Sequence, residues 1–163
     1  MFGHSRAELD RLALQARAID PVTRRFFAEA GVVRGMRVLD VGCGGGDVSV
    51  LVADMVGADG SVVGFDRFAA AVDAAAVKVE ALGLRNVSFV SGALDRLGDL
   101  GPFDAVVGRY VLQFVEDPVA FLGSLARLAK AGGRWCSMSW TGRGSPRLPP
   151  CRPTIVWPPC FSQ

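Results

Sequence analysis

Short apolar runs alternate with longer stretches of helical period along most of this chain. Val38–Val41, Ser61–Phe65, Val87–Val90 and Phe103–Val107 have strand length and are apolar on both alternating faces. Helical segments separate them. Asp47–Val56 ends at Gly57, and the alanine-rich Ala69–Leu82 ends at Gly83. Leu94–Leu100 reads as a turn or short helix. Pro118–Lys130 places Phe121, Leu122, Leu125 and Leu128 on one face and is expected to stop at Gly132-Gly133. Arg134–Trp140 is the expected fifth strand. Upstream, Leu9, Leu12, Ala13 and Ala16, then Phe26, Phe27 and Ala30, recur at helical spacing, with Pro21 read as dividing two helices and Gly31 as ending the second.

Strands apolar on both faces and separated by helices predict a doubly wound, Rossmann-like α/β fold, with a largely parallel sheet covered on both sides. Three segments are expected: an N-terminal helical cap over residues 1–34, the Rossmann-like domain over 35–140, and an irregular tail over 141–163. That tail holds six of the nine prolines in the chain. Ligands of such sheets lie at the carboxyl ends of the strands.

The stretch after the first strand is rich in glycine: RVLDVGCGGGDVS, residues 37–49. A dinucleotide loop, G-x-G-x-x-G, would need glycine where Asp47 stands. Asp47 is expected at the helix N-terminus, meeting the N–H donors that a pyrophosphate would otherwise use. This disfavours a nicotinamide-dependent oxidoreductase.

The series Asp40-x-Gly42-x-Gly44-x-Gly46 is instead similar to motif I of the class I S-adenosylmethionine (SAM)-dependent methyltransferases. Further motifs follow in that family's order. Phe65-Asp66 ends the second strand, and FDAVVGRYVLQFVEDPVAFLGSLARLAKAGG resembles the fourth strand, its loop and the next helix. The resemblance covers roughly residues 20–135 and is nearest to the ubiquinone/menaquinone-type and other small-molecule methyltransferases. It implies SAM as cofactor and a small-molecule acceptor. Asp40 would hold the methionine amino group, directly or through water. Gly42, Gly44 and Gly46 would admit the cofactor to the backbone, and Asp66 would bind the ribose hydroxyls. Ser91-Gly92-Ala93-Leu94-Asp95 would contact adenine: Ala93 stands where relatives often carry Asp or Asn, leaving the Leu94 N–H or Asp95 to serve. Arg109 would face the methionine end, with a surface ion pair as the alternative.

No general base stands out. His4, the only histidine, is close to the terminus, and Tyr110 is expected to pack. Gln15, Arg17 and Thr23 are candidates for the acceptor pocket.

Composition alters this picture little. The 163 residues suit one domain, and half of them are hydrophobic. A net charge of +2 is too small to argue for nucleic acid or a membrane surface. No apolar stretch reaches the roughly 20 residues of a membrane span. The charged N-terminus lacks the apolar core of a signal peptide, so the expected compartment is the cytoplasm. Cys43, Cys136, Cys151 and Cys160 form no C-x-x-C pair, so neither zinc nor a disulfide framework is expected. Cys43 reads as a small buried filler.

The resemblance weakens near the end of the chain. The family continues past its fifth strand with a further helix and two strands, which the proline-rich tail does not match. Reading one codon choice for residues 134–140 from its third base gives Val-Val-Phe-His-Glu-Leu, a more strand-like run. The expectation is a C-terminal truncation or frameshift near Arg134, with the last strands missing. It brings a rival reading, a non-catalytic protein on the same fold.

Overall fold

A computed structural model describes residues 19–138, except the side chains of Asp95, Arg96 and Asp99. Helix α1 covers residues 19–29. The order then runs β1 (Arg37–Val41), α2 (Asp47–Val56), β2 (Ser61–Asp66), α3 (Ala69–Ala81), β3 (Val87–Ser91), β4 (Phe103–Arg109), α4 (Pro118–Ala126) and β5 (Ala129–Met138). Short 3-10 helices occupy Leu94–Leu100 and Leu112–Phe114. The strands form one parallel sheet in the order β3-β2-β1-β4-β5. Strand order reverses around β1, which places the glycine loop after β1 at the switch point. His4, Gln15, Arg17, Cys151, Cys160 and the tail lie outside the described residues.

The two-residue period of the strands divides the core. Val38, Val62, Ala105, Val107, Cys136 and Met138 pack with Phe26, Phe27, Val48, Val52 and Val56 on the face covered by α1 and α2. Leu39, Val63, Phe65, Phe103 and Val106 pack with Leu97, Leu125 and Leu128 on the face covered by α4 and the Leu94–Leu100 turn. Asp40 shares a face with Val38, so its carboxylate lies beneath α2.

Two boundaries differ from the sequence reading. Residues 19 and 20 are already helical, so Pro21 stands in the first described turn of α1 and not ahead of it, while the upstream helix read over residues 9–16 lies outside the described residues. Gly31 does end this helix: at φ +87° it donates to the Ala28 carbonyl (2.9 Å), while the Val32 N–H reaches Phe27 (2.9 Å). The second difference is at α4, which stops at Ala126, four residues before the expected end. Leu128 keeps its place on the apolar face by a turn, its N–H bonded to Leu125 O (3.0 Å), and its own carbonyl accepts from Phe103 N (2.8 Å). The chain has therefore joined the sheet by Ala129. Ala129 pairs with Phe103 but Arg134 pairs with Ala105, so the intervening residues bulge outward. Gly132 (φ +76°) and Gly133 serve this bulge rather than a helix end. A Cβ at Gly133 would lie 2.8 Å from the Lys130 carbonyl oxygen.

Gly64, in the middle of β2, lies close under both a neighbouring strand and α2. A Cβ there would lie 2.5 Å from Phe89 Cδ1 and 3.0 Å from Ser49 Oγ. Gly64→Ala is expected to destabilise the domain by about 1–3 kcal/mol through overpacking, read as a lower urea midpoint with unchanged slope; an unchanged midpoint would refute the close approach.

Candidate cofactor site

The glycine loop is held to the end of β2. The N–H groups of Gly42 (2.7 Å) and Cys43 (3.0 Å) both donate to the Phe65 carbonyl. The Gly44 N–H donates to Asp66 Oδ2 (3.0 Å), and Asp66 Oδ1 accepts from the Phe68 N–H (3.0 Å). Asp66 thus fixes the loop while staying half-exposed at the strand end. Each of its oxygens keeps a lone pair for a further donor.

The three alternate glycines all have positive φ but different surroundings. A Cβ at Gly42 would lie 2.6 Å from Val111 Cγ2, so the loop after β4 fills that niche. A Cβ at Gly46 would lie 3.0 Å from Ala75 Cβ, so this glycine lets α3 approach. Only at Gly44 is there open space, with no atom within 4 Å of the added carbon. Of the three, Gly44 alone leaves room for a ligand against the backbone.

Asp40 is fully buried. Oδ2 accepts from the Ser49 hydroxyl (2.6 Å), while Oδ1 has no hydrogen-bond partner. Burial pushes this carboxyl up to about 7, against the pull of the Ser49 hydrogen bond and the Arg109 charge. Burial likewise raises the Cys43 thiol far above its ordinary value, with Asp40 and Asp66 adding to the effect. Cys43 is the buried filler the sequence indicated.

Asp47 does not cap α2. The N-cap is Gly46, with no side-chain cap, and Asp47 pairs with Lys78 of α3 (2.9 Å). The physical reason is backbone geometry: Gly46 is left-handed at φ +80°, and Asp47 is already the first helical residue. The argument against a phosphate ligand from a capping carboxylate therefore falls.

Arg109 lies at the end of β4, with its side chain only 9% exposed. Its Nη1 donates to Asp20 Oδ1 (2.9 Å) and to Thr23 Oγ1 (3.2 Å), both on α1. Arg109 thus makes an ion pair, but a buried one and not the surface pair weighed as the alternative. Sequence spacing could not signal this, since the partners are 89 and 86 residues apart. Thr23 itself is fully buried, its hydroxyl donating to the Ile19 carbonyl (3.1 Å).

The loop after β3 runs beside Asp66, with the Gly92 N–H on the Asp66 carbonyl (3.2 Å). Ala93 is exposed and Leu94 half-buried. Tyr110 follows β4 at φ +64°, the one non-glycine with positive φ among the described residues, and its N–H bonds Met138 O (2.6 Å). Sequence reasoning missed this strained position, which carries no local signal.

Comparison with known proteins decides the family. A methyltransferase domain model matches residues 33–142. The chain belongs to this methyltransferase family. It is 34% identical over 152 residues to aklanonic acid methyltransferase DauC of Streptomyces sp. strain C5, covering 91% of this chain and 68% of that protein. It is 33% identical over 129 residues to a ubiquinone biosynthesis O-methyltransferase of Thiobacillus denitrificans, covering 78% and 53%. A similar enzyme of Maricaulis maris matches at 37% identity, over 61% of this chain and only 38% of its own length. Among solved structures, a SAM-dependent methyltransferase from Aquifex aeolicus superposes with a TM-score of 0.68 at 28% identity, covering 77% of this chain and 68% of that one. The family's cofactor is SAM, and the nicotinamide reading is set aside. The donors present fit that group: an open glycine, a strand-end carboxylate and a buried acid with an unpartnered oxygen. Among the described residues no His, Cys, Asp and Glu cluster suits a metal, and no helix is long and apolar enough to cross a membrane.

Asp40 gives stability a pH dependence of defined sign. Its folded pKa, about 7, lies above its unfolded value of 3.8, so the folded chain binds the extra proton between them. Folding is favoured at low pH, and stability falls by about 1.4 kcal/mol per unit as pH rises through that window. Asp40→Asn is expected to remove this slope in urea titrations across pH 4.5–7 (about the width of the window); an unchanged slope would locate the titrating group elsewhere.

Proposed function

We propose that this methyltransferase binds SAM over Gly44, between the ends of β1 and β2, and transfers its methyl group to a small-molecule acceptor. The observation that carries the reading is Gly44 itself: open space at a left-handed glycine whose N–H is pinned to Asp66. In this arrangement the ribose hydroxyls donate to Asp66. The adenine lies along Ala93 and Leu94, where the N–H groups opening a 3-10 turn have no partner within the turn, with Asp95 nearby. Asp40 meets the amino group of the methionine moiety through Oδ1, directly or through a water. The two free nitrogens of the Arg109 guanidinium, Nε and Nη2, suit the carboxylate end.

The sulfonium of SAM makes its methyl an electrophile without help from the protein. What the chain adds is position and the exclusion of water. Gly42 and Gly46 contribute indirectly, by admitting Val111 and α3 so that the loop is held still. No residue is assigned as a general base. The relatives named for aklanonic acid and for ubiquinone biosynthesis support an acidic or quinone-related small-molecule acceptor. A cytoplasmic setting accords with the free, buried thiols of Cys43 and Cys136.

A second reading, cofactor binding without turnover, draws on β5. Trp135 Nε1 and Ser137 Oγ are buried without partners, two of the four such atoms among the described residues.

Calorimetric titration with SAM tests the first reading. Gly44→Ala adds a Cβ that meets no atom within 4 Å but lies in the ligand space at a strained left-handed φ, and is expected to weaken binding by about tenfold or more while the far-ultraviolet spectrum and urea midpoint report separately on the cost of that strain. Asp66→Asn keeps the side chain's size and should cost about tenfold through lost charge-assisted hydrogen bonds. A folded wild type that binds no SAM would sink the proposal. Binding without methyl transfer to any of a panel of quinols, phenols and amines would favour the second reading.

A further inference from the structure

Helix α1 is attached differently at its two ends. Its C-terminal half is anchored by apolar burial of Phe26, Phe27 and Ala30, and Arg134 Nη1 donates to the Ala30 carbonyl (3.1 Å). Its first described turn sits beside the carboxyl end of β4, where ligands of such sheets bind. There the attachment is chiefly polar. Arg109 Nη1 reaches Asp20 and Thr23, Ile19 packs only at the margin of the core, and Val22 is half-exposed.

The guanidinium offers five donors, yet the bonds to Asp20 and Thr23 both come from one nitrogen. Nε and Nη2 make no hydrogen bond among the described residues. The Asp20 carboxylate and Thr23 hydroxyl hold the planar group through Nη1, and Nε and Nη2 keep their donors for a ligand. Arg109 also faces the buried Asp40 closely enough for its charge to act there. One cation therefore joins α1 to the end of β4, and its charge is felt at Asp40 of β1.

We infer that Asp20 and Thr23 are positioning residues: by gripping Arg109 through Nη1 they tie the first turn of α1 across the cofactor site, and so set how long a bound cofactor stays. The inference rests on the SAM reading above. Neither residue need touch the cofactor. Each orients the guanidinium whose free edge does, and holds the helix that closes over it.

Asp20 is the residue to change, since the Arg109 side chain then remains. In Asp20→Asn, S-adenosylhomocysteine is expected to dissociate about tenfold faster in stopped-flow measurements, as for the loss of one part-buried charge-assisted hydrogen bond. The rate of association should change much less. Asp20→Glu should restore most of the residence time, and Thr23→Val should shorten it by a smaller factor. Hydrogen exchange of the free protein should rise in residues 19–23 while the sheet stays protected. Exchange that rises throughout the sheet would mean general destabilisation and overturn the inference. So would an Asp20→Asn protein that holds the ligand as long as wild type. A wild type that takes up no S-adenosylhomocysteine would overturn the SAM reading, and the inference with it. If Asp20→Asn does not fold, Thr23→Val and Asp20→Glu carry the same comparison.

Discussion

The Phe65 carbonyl accepts two N–H groups, from Gly42 and from Cys43, and the architecture of the site follows from that pair of bonds. A chain leaving a central parallel strand has backbone donors that must be met without water. Here they are met by the neighbouring strand at the level where both strands end. The bonds force the loop to turn back over β2, which demands left-handed geometry at Gly42 and Gly44 and brings the Gly44 N–H onto Asp66. Loop and acid are thereby one rigid object. A carboxylate fixed by backbone donors does not have to be ordered when a ligand arrives, which lowers the entropic cost of binding.

Charge at this end of the sheet is arranged by burial as much as by count. Asp20, Asp40, Asp47 and Asp66 all lie around the carboxyl ends of β1, β2 and β4. Arg109 and Lys78 each neutralise one of them directly. Asp66 is half-exposed and bound to backbone donors, whereas Asp40 is fully enclosed and holds its proton to about neutral pH. Two acids on adjacent strands thus have different surroundings, one fixed by backbone donors at the strand end and the other enclosed beneath α2. An ammonium reaching Asp40 would find a group ready to release its proton on contact.

Much of this was legible in the sequence. The apolar runs of β1 to β4 and the glycine stops of α1, α2 and α3 could be read because strand burial and left-handed turns leave direct marks on residue choice. The motif around Asp40 and Asp66 was legible as a resemblance to a known family, and the left-handed φ values of Gly42, Gly44 and Gly46 are the local demand that keeps its glycines. What failed was decided at a distance. Gly132-Gly133 looks like a helix end, but the pairing of Ala129 with Phe103 turned it into a bulge. Asp47 looks like a cap, yet Lys78 on another helix claimed it. The niches of Gly42 and Gly46 are filled by Val111 and Ala75, which no reading of the loop alone could supply.

The contact between Val111 and Gly42 bears on anyone who would re-engineer this protein. The segment after β4 invites randomisation, since it borders the site and ends in the exposed Phe114. Position 111, however, serves the glycine loop as well as its own segment. A larger side chain there has no room over Gly42, and a smaller one leaves a hole beneath the turn that carries Gly44. Libraries that vary the segment gain by holding Val111 constant, because diversity introduced at that single position is spent on disturbing the glycine loop.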